Sequence, residues 1–258
     1  MGRRFDPYRT HQQIRMSEFT QDGLTWSMSG IADGNMSFLW GSHDEVLESR
    51  NKFLESVGLS LDDCVAVRIQ DGDKIALVGQ DDLAKGAREI DTAIRADAML
   101  TDRNGLGLFL VVADCLPIIY WDSARRVLGL AHLSWKTSML GLAGKVVAQM
   151  QQQFDCKPEN IQVFIGPGAK PESYTFSDAI QRGLKEWQPF IRQLSDGQTA
   201  IDLFGYNQFI LTKYGIPESN IVVSQVDTIG DERFFSHYRA ETKQRGDNGR
   251  NAVVVMMK

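Results

Sequence analysis

The sequence predicts an α+β fold in which mixed sheets are layered with helices. Two observations support this class. Short apolar runs typical of buried strands lie at the centre and near the end of the chain, and amphipathic segments with helical spacing lie between them. Helices and strands are interleaved with turn signals of the hairpin type, so the class is α+β or mixed α/β.

The first clear predicted element is a helix after Ser42. Ser42 and Glu45 have the spacing of a capping box, apolar residues follow at helical intervals, and Gly58 is a typical helix stop. We find no internal repeat and no long Pro/Gly/Ser linker. The prediction is therefore one domain over residues 1–258, in which residues 1–30 are an N-terminal extension or hold the first strands.

A hairpin is predicted next. Two alternating runs, 65–70 and 73–78, flank the turn dipeptide Asp71-Gly72. The stretch 79–97 is polar and weakly periodic, so we expect a long excursion at the surface.

Continuous apolar runs predict strands over 106–112, 118–121 and 127–131, and Pro117 is expected to end regular pairing. The remaining predictions follow from periodicity in the same way. They are helices over 137–154, 177–194 and 203–214, and strands over 161–165, 221–223 and 252–255.

Composition excludes several classes of function. With 43% hydrophobic and 24% charged residues, the 258-residue chain resembles an ordinary soluble globular protein. Its net charge of −5 argues against a nucleic acid or an anionic membrane as partner. No apolar run approaches a membrane span, and the N-terminus has no signal-peptide core, so we expect the cytoplasm.

The three cysteines argue against a secreted disulfide framework. Cys64 and Cys156 are interpreted as structural. Cys115 follows the central apolar strand, and His132 stands at the end of the next strand but one. A thiolate and an imidazole brought together form either a soft metal site or a nucleophile pair, and spacing alone leaves both open.

The sequence around these two residues is similar to the signature of the laccase-domain family. A small-Asp-Cys-x-Pro segment at 113–117 is followed by a strand that ends in His-x-x-Trp at 132–135. The resemblance runs from Asn35 to the C-terminus. Comparable segments lie at 35–37, 234–239 and 248–250.

Members of this family are described as multicopper polyphenol oxidoreductases, as zinc-dependent purine nucleoside phosphorylases that also deaminate adenosine and cleave methylthioadenosine, and in some bacteria as peptidoglycan editing factors. A multicopper oxidase needs many histidine ligands, and this chain has four histidines in total, so the oxidase chemistry fits least. The resemblance implies a laccase-domain, cysteine hydrolase-like fold and an enzyme that takes a nucleoside and phosphate as its small-molecule partners.

The resemblance also implies a metal held by two histidines and one cysteine. Cys115 and His132 match two ligands, but the family's Val-His-Gly turn reads Gln70-Asp71-Gly72 here, so Asp71 takes the third position. A carboxylate is also a zinc ligand. The resemblance therefore implies zinc, or copper, at Asp71, Cys115 and His132, or no metal if the aspartate has abolished the site.

Further departures affect the substrate residues. The family's His-Ala-Gly-Trp-Arg-Gly becomes His-Leu-Ser-Trp-Lys-Thr from His132, so Lys136 keeps the charge and loses the bidentate fork that suits phosphate. We predict Cys115 and His132 as catalytic residues and Arg68, Lys136 and Arg239 as substrate-binding residues. Arg250 is a further candidate for the anion pocket.

Three hypotheses of function follow. The first is a metal-dependent nucleoside phosphorylase or deaminase acting on adenosine, inosine or methylthioadenosine. The second is a metal-free Cys–His hydrolase, or an enzyme of the peptidoglycan-editing type. The third is a degenerate paralogue that kept the fold, lost the metal and acts in binding.

Overall fold

The computed structural model describes residues 23–243 and 248–258, and these form the mixed α+β architecture that the sequence predicts. The strands, in chain order, are β1 (Leu24–Met28), β2 (Cys64–Arg68), β3 (Ile75–Leu77), β4 (Ile94–Arg95), β5 (Ala98–Thr101), β6 (Gly107–Val112), β7 (Leu116–Asp122), β8 (Val127–Leu133), β9 (Ile161–Ile165), β10 (Thr175–Phe176), β11 (Ile191–Gln193), β12 (Thr199–Ile201), β13 (Ile221–Val223) and β14 (Asn251–Met257). The helices are α1 (His43–Ser56), α2 (Trp135–Met139), α3 (Leu142–Phe154), α4 (Leu203–Lys213) and α5 (His237–Lys243). The prediction of a single domain over 1–258 stays a prediction.

Two large mixed sheets pack face to face. The first has five strands in the order β1-β14-β6-β2-β4, and the second has six in the order β13-β9-β7-β8-β5-β3. Successive side chains of a strand point to opposite faces, so each sheet offers two apolar faces. Leu108 and Leu110 of β6 pack between the sheets against Leu128 and Leu130 of β8.

Helices cover the outer faces of both sheets. Phe53 and Leu54 of α1 pack with Phe109 on the far side of the first sheet. Val146 and Val147 of α3 pack on the far side of the second sheet, together with residues of α4. The order of layers is therefore helix, sheet, sheet, helix, which matches the predicted layering.

The chain crosses from the first sheet to the second at three places. Residues 69–74 join β2 to β3, residues 96–97 join β4 to β5, and residues 113–115 join β6 to β7. The first two crossings run side by side, because β2 pairs with β4 and β3 pairs with β5, both in parallel. The non-regular backbone at these crossings carries the polar residues of the candidate site.

The predicted hairpin over 65–78 is wrong. β2 and β3 do not pair with each other but lie in different sheets. Asp71 does adopt the left-handed conformation that its turn dipeptide favours, with φ of 54°. The carboxylate of Asp97, rather than a ladder between the two runs, accepts the hydrogen bonds of this turn.

Two predicted helices are also corrected. The helix over 137–154 is broken into α2 and α3 at Gly141, which has a φ of 71°. The helix over 177–194 is absent: short 3-10 turns and β11 occupy that stretch, because Pro189 cannot donate a helical hydrogen bond and Ile191 pairs with Ile201.

The other predicted elements are confirmed, with shifted ends. Pro117 does not end pairing as expected: it lies inside β7, opposite His132, and its carbonyl accepts from Gly166. The stretch 79–97 is largely at the surface but ends at Asp97, which is fully buried. None of the described residues belongs to a helix long and apolar enough to span a bilayer.

Gly86 is predicted to be intolerant of a side chain. It has a φ of 70°, and a Cβ there would collide with the Ala66 carbonyl oxygen. Its own carbonyl accepts from the buried Arg50 guanidinium. We expect Gly86→Ala to lower the free energy of unfolding by about 2 kcal/mol or more in urea titrations. Gly79→Ala is the matched control, since a Cβ at Gly79 meets no atom within 4 Å, and it should change stability by less than about 0.5 kcal/mol.

Candidate functional site

His132 is fixed at the end of β8 by Asp97. The His132 main-chain N–H donates to the Asp97 carbonyl at 2.8 Å. The imidazole Nδ1 lies 3.2 Å from Asp97 Oδ1, and both side chains are buried. The Cys115 side chain acts on the same imidazole by raising its pKa, and both residues line one cavity. A carboxylate, an imidazole and a thiol therefore belong to one site.

The Asp97 carboxylate also holds the crossing over 70–72. Its Oδ2 accepts the main-chain N–H of Gln70 at 3.2 Å and of Gly72 at 2.9 Å, and its Oδ1 accepts that of Asp71 at 3.0 Å. With His132, each oxygen accepts two hydrogen bonds. Asp97 therefore serves to orient His132 and the turn, and its oxygens have little capacity left for another ligand.

Cys115 lies at the crossing from β6 to β7 and is partly buried. The residue before it, Asp114, has a φ of 76°, and its carboxylate accepts from Thr228, Ser236 and the Tyr238 main-chain N–H. These bonds, from C-terminal segments, hold the strained backbone that presents the thiol.

Burial and neighbouring charges shift the pKa values of His132 and of two cysteines. Burial lowers the pKa of His132, but the negative charges of Cys115 and Asp97 outweigh it and raise that pKa to about 10. A cysteine acts as a nucleophile or as a metal ligand in its thiolate form. Burial raises the pKa of Cys64 and of Cys156 to about 12, which makes both thiols inert.

Asp71 stands on the turn that Asp97 holds. Its Oδ1 accepts from Ser134 Oγ at 3.1 Å, and its Oδ2 lies 3.0 Å from Lys136 Nζ. Burial raises the pKa of Asp71, but Lys136, His132 and Ser134 together lower it below its usual value. Asp71 is thus in direct contact with Ser134 and Lys136, two of the other positions that depart from the family signature.

The side chains around His132 include atoms that could coordinate a metal ion. The ligand atoms of Asp71, Asp97 and His132 lie within 4.8 Å of one another, whereas Cys115, which the resemblance implies as a ligand, is not in this close group and lines the same cavity as His132. Because the oxygens of Asp97 are occupied, Asp97 fits the role of the carboxylate that orients a ligating histidine. The oxygen, nitrogen and sulfur donors of Asp71, His132 and Cys115 are of the types that zinc accepts.

Most of the predicted site residues line one cavity of about 530 Å³. Cys115, His132, Asp71 and Arg68 are all in its wall, and so is Arg250. The structure brings these residues together from distant parts of the chain.

Two predicted substrate residues lie elsewhere. Lys136 is not in the cavity wall and instead pairs with Asp71. Arg239 is buried, and its guanidinium donates to the main-chain carbonyls of Thr228, Ile229 and Phe234. The interpretation of Arg239 as a phosphate ligand is therefore corrected: its hydrogen bonds hold the C-terminal loop.

Sequence reasoning missed Asp97, which lies behind His132, and several residues of the cavity wall. Asp97 carried a signal, since it is an aspartate immediately before an apolar strand. Arg95, Trp40 and His237 also line the cavity. Trp40 is 44% exposed, and the Arg250 guanidinium lies 4.4 Å from the centre of its ring. The sequence pattern does not predict that these three residues lie in one cavity, because that depends on how the chain crosses between the two sheets.

Comparison with known proteins places the chain in a family. The family model described as multi-copper polyphenol oxidoreductase laccase matches residues 19–258. A protein of Geobacillus stearothermophilus named purine nucleoside phosphorylase YlmD is 33% identical over 246 residues, which cover 90% of this chain and 88% of that protein. A protein of an unknown prokaryotic organism named adenosine deaminase RL5 is 27% identical and covers 70% of this chain and 71% of its own length.

The crystal structure of YlmD from Geobacillus stearothermophilus has the same fold. Its TM-score is 0.84 at 30% identity, with 92% of this chain and 93% of that chain covered. This chain belongs to the laccase-domain family, as its motifs predict. The prediction of an enzyme of the purine nucleoside phosphorylase type agrees with the names of these relatives.

Proposed function

We propose that this chain is an enzyme of the purine nucleoside phosphorylase type that acts on a purine nucleoside in the cavity of Cys115 and His132. The observation that carries the proposal is the placement of Cys115 and of His132, which Asp97 holds, in the wall of a 530 Å³ cavity that also presents arginine side chains. The names of the relatives support the reaction class. A cavity of this volume is in the range of small-molecule sites.

We further propose that Asp71, Cys115 and His132 hold a zinc ion, with copper as the alternative metal. One monodentate oxygen of Asp71 is enough for coordination, so the bonds to Ser134 and Lys136 are compatible with it. A bound zinc ion supplies a Lewis acid that polarises an oxygen or nitrogen of the substrate.

Other residues of the site would orient the histidine and bind phosphate. Asp97 fixes the rotation and the tautomer of His132, so that Nε2 is directed at the site. Arg68 offers a guanidinium to phosphate. In phosphorolysis a phosphate oxygen forms a bond to C1′ of the ribose, the bond from C1′ to the base nitrogen breaks, and the base takes up a proton. Deamination of adenosine instead adds water at C6 and releases ammonia.

The test is a product analysis with metal removal. The protein is purified without a metal-affinity tag, its zinc and copper are measured by mass spectrometry, and adenosine is supplied with and without phosphate. We expect stoichiometric metal, adenine and ribose 1-phosphate that require phosphate, and loss of turnover after chelation that added zinc restores. Inosine formed without phosphate would indicate the deaminase instead. Absence of nucleoside turnover in the metal-loaded protein would refute the proposal.

A second candidate function rests on the same three residues. A thiol, an imidazole and a buried carboxylate in sequence are also the arrangement of a cysteine hydrolase. That function predicts selective alkylation of Cys115 near neutral pH and full activity after chelation. Cys64 and Cys156, with pKa values raised to about 12, are the internal controls for alkylation.

The binding-only hypothesis rests on Asp71 in the position of the family's histidine and on the ion pair of that carboxylate with Lys136. It predicts a protein without zinc that gains zinc binding in Asp71→His. Stoichiometric zinc in the unmutated protein rules it out.

A further inference from the structure

Two arginines stand side by side in the cavity wall. Arg68 is the last residue of β2, Arg95 is the last residue of β4, and they are direct partners in the parallel register of the two strands. Neighbouring strands are about 4.8 Å apart, and direct partners project to the same face of a sheet. Both side chains line the cavity that Cys115 and His132 also line.

Such a pair is unfavourable by itself. Like charges placed directly opposite each other on neighbouring strands are destabilising. Within residues 23–243 and 248–258, neither guanidinium group has a hydrogen bond or ion pair to a carboxylate. Asp71 and Asp97, the acidic side chains of the adjoining crossings that belong to the candidate site, are engaged elsewhere: Asp97 with the turn and His132, and Asp71 with Ser134 and Lys136.

The other two arginines of the wall, Arg50 and Arg250, differ from this pair. The Arg50 guanidinium is buried and donates to the main-chain carbonyls of Met36, Gly86 and Ala87. Arg250 is also held by the protein. It donates to Asn248 Oδ1 at 2.9 Å and to the Gly249 carbonyl at 2.8 Å, and it lies over the ring of Trp40. Its guanidinium is thus fixed by the protein. Among the four arginines of this wall, Arg68 and Arg95 are the two whose guanidinium groups have no hydrogen bond to the described part of the chain, so these two are the ones we assign to a ligand.

We propose that Arg68 and Arg95 together bind a phosphate group beside the reacting end of the cavity. A guanidinium presents parallel N–H groups that match two oxygens of a phosphate, and two such forks on one face match a tetrahedral dianion. The inference rests on the proposed function, in which phosphate is a co-substrate. The same chemistry would recognise the phosphate ester of a nucleoside monophosphate, and the experiment separates the two sources.

The experiment is a calorimetric titration of the full chain with inorganic phosphate, and separately with AMP and with adenosine. The variants are Arg68→Gln, Arg95→Gln and Arg68→Lys. The matched control is Arg125→Gln, an exposed arginine in the turn at the opposite end of β7 and β8 from the cavity. Thermal unfolding without phosphate checks that the variants are folded.

We expect each glutamine variant to raise the Kd for inorganic phosphate about ten-fold or more, because each removes charge-assisted hydrogen bonds. The Kd of Arg68→Lys for phosphate should lie between those of the wild type and Arg68→Gln. Arg125→Gln should bind phosphate as the wild type does, and the affinity of every variant for adenosine should be unchanged. If only the affinity for AMP falls, the ligand is the phosphate ester. Unchanged binding of both phosphate and AMP in the glutamine variants, an equal loss in Arg125→Gln, or no binding by the wild type overturns the proposal.

The failure of this inference is distinguishable from the failure of the proposed function. If the wild type binds phosphate through the pair but cleaves no nucleoside, the arginine site stands and the proposed reaction fails. If the wild type cleaves nucleosides and the KM for phosphate is unchanged in Arg68→Gln and Arg95→Gln, the reaction stands and the arginine site fails.

Discussion

Asp97→Asn is expected to weaken both the fold and the candidate metal site, although it is nearly isosteric. Every group around the Asp97 carboxylate is a donor: three main-chain N–H groups of the turn and the imidazole Nδ1 of His132. An amide must turn its NH2 group toward two of these donors. The variant therefore leaves buried donors unpaired and frees His132 from its orientation.

We expect the free energy of unfolding to fall by about 2 kcal/mol in urea titrations. Zinc affinity or turnover should fall by about 10- to 100-fold, the usual effect of removing a carboxylate that orients a metal-bound histidine. The matched control is Asp73→Asn, because Asp73 is exposed and pairs with Lys145 at the surface. It should change stability by less than about 1 kcal/mol. Equal stability and zinc affinity in Asp97→Asn and wild type would contradict this role.

Cys115→Ala is expected to abolish function and leave the fold intact. The thiol is partly exposed in the wall of the cavity that His132 also lines, so its removal deletes a donor from the site and costs little packing. We expect loss of stoichiometric zinc and a fall in turnover of at least about 10³-fold. The measurements are metal content, kcat/KM and the urea midpoint on the same preparation.

Cys156→Ala is the control for this variant. Cys156 is 4% exposed, and burial together with Asp122 raises its thiol pKa to about 12, so it is neither nucleophile nor ligand. It should keep metal and turnover. A loss of turnover in Cys156→Ala equal to that in Cys115→Ala would mean that the effect comes from the fold and not from the site.

Local pattern predicts the buried parts of this fold well. The apolar runs at the centre of the sequence form β6, β7 and β8, because a continuous apolar segment has no polar face to turn to solvent and must be buried. The hairpin over 65–78 failed for a non-local reason. Asp71 does adopt the left-handed turn conformation that the Asp-Gly dipeptide predicts. However, β2 pairs with β4 and β3 pairs with β5, so each strand pairs with one further along the chain. The turn itself is held by Asp97, 26 residues from Asp71.

The site could be predicted only in part for the same reason. The segments of Cys115 and His132 match the family signature, and the structure places both residues in the wall of one cavity. The role of Asp97 depends on the turn over 70–72 and on His132, which are distant from it in sequence. The pairing of Arg68 with Arg95 depends on the register of two strands, which neither segment encodes alone.

The most direct test of the account is phosphate-dependent cleavage of adenosine by wild type and Cys115→Ala, with metal content measured on both. The account predicts about one zinc per wild-type chain, adenine formation that requires phosphate, and the loss of both in the variant. Wild-type levels of zinc and of phosphate-dependent adenine formation in Cys115→Ala would contradict it.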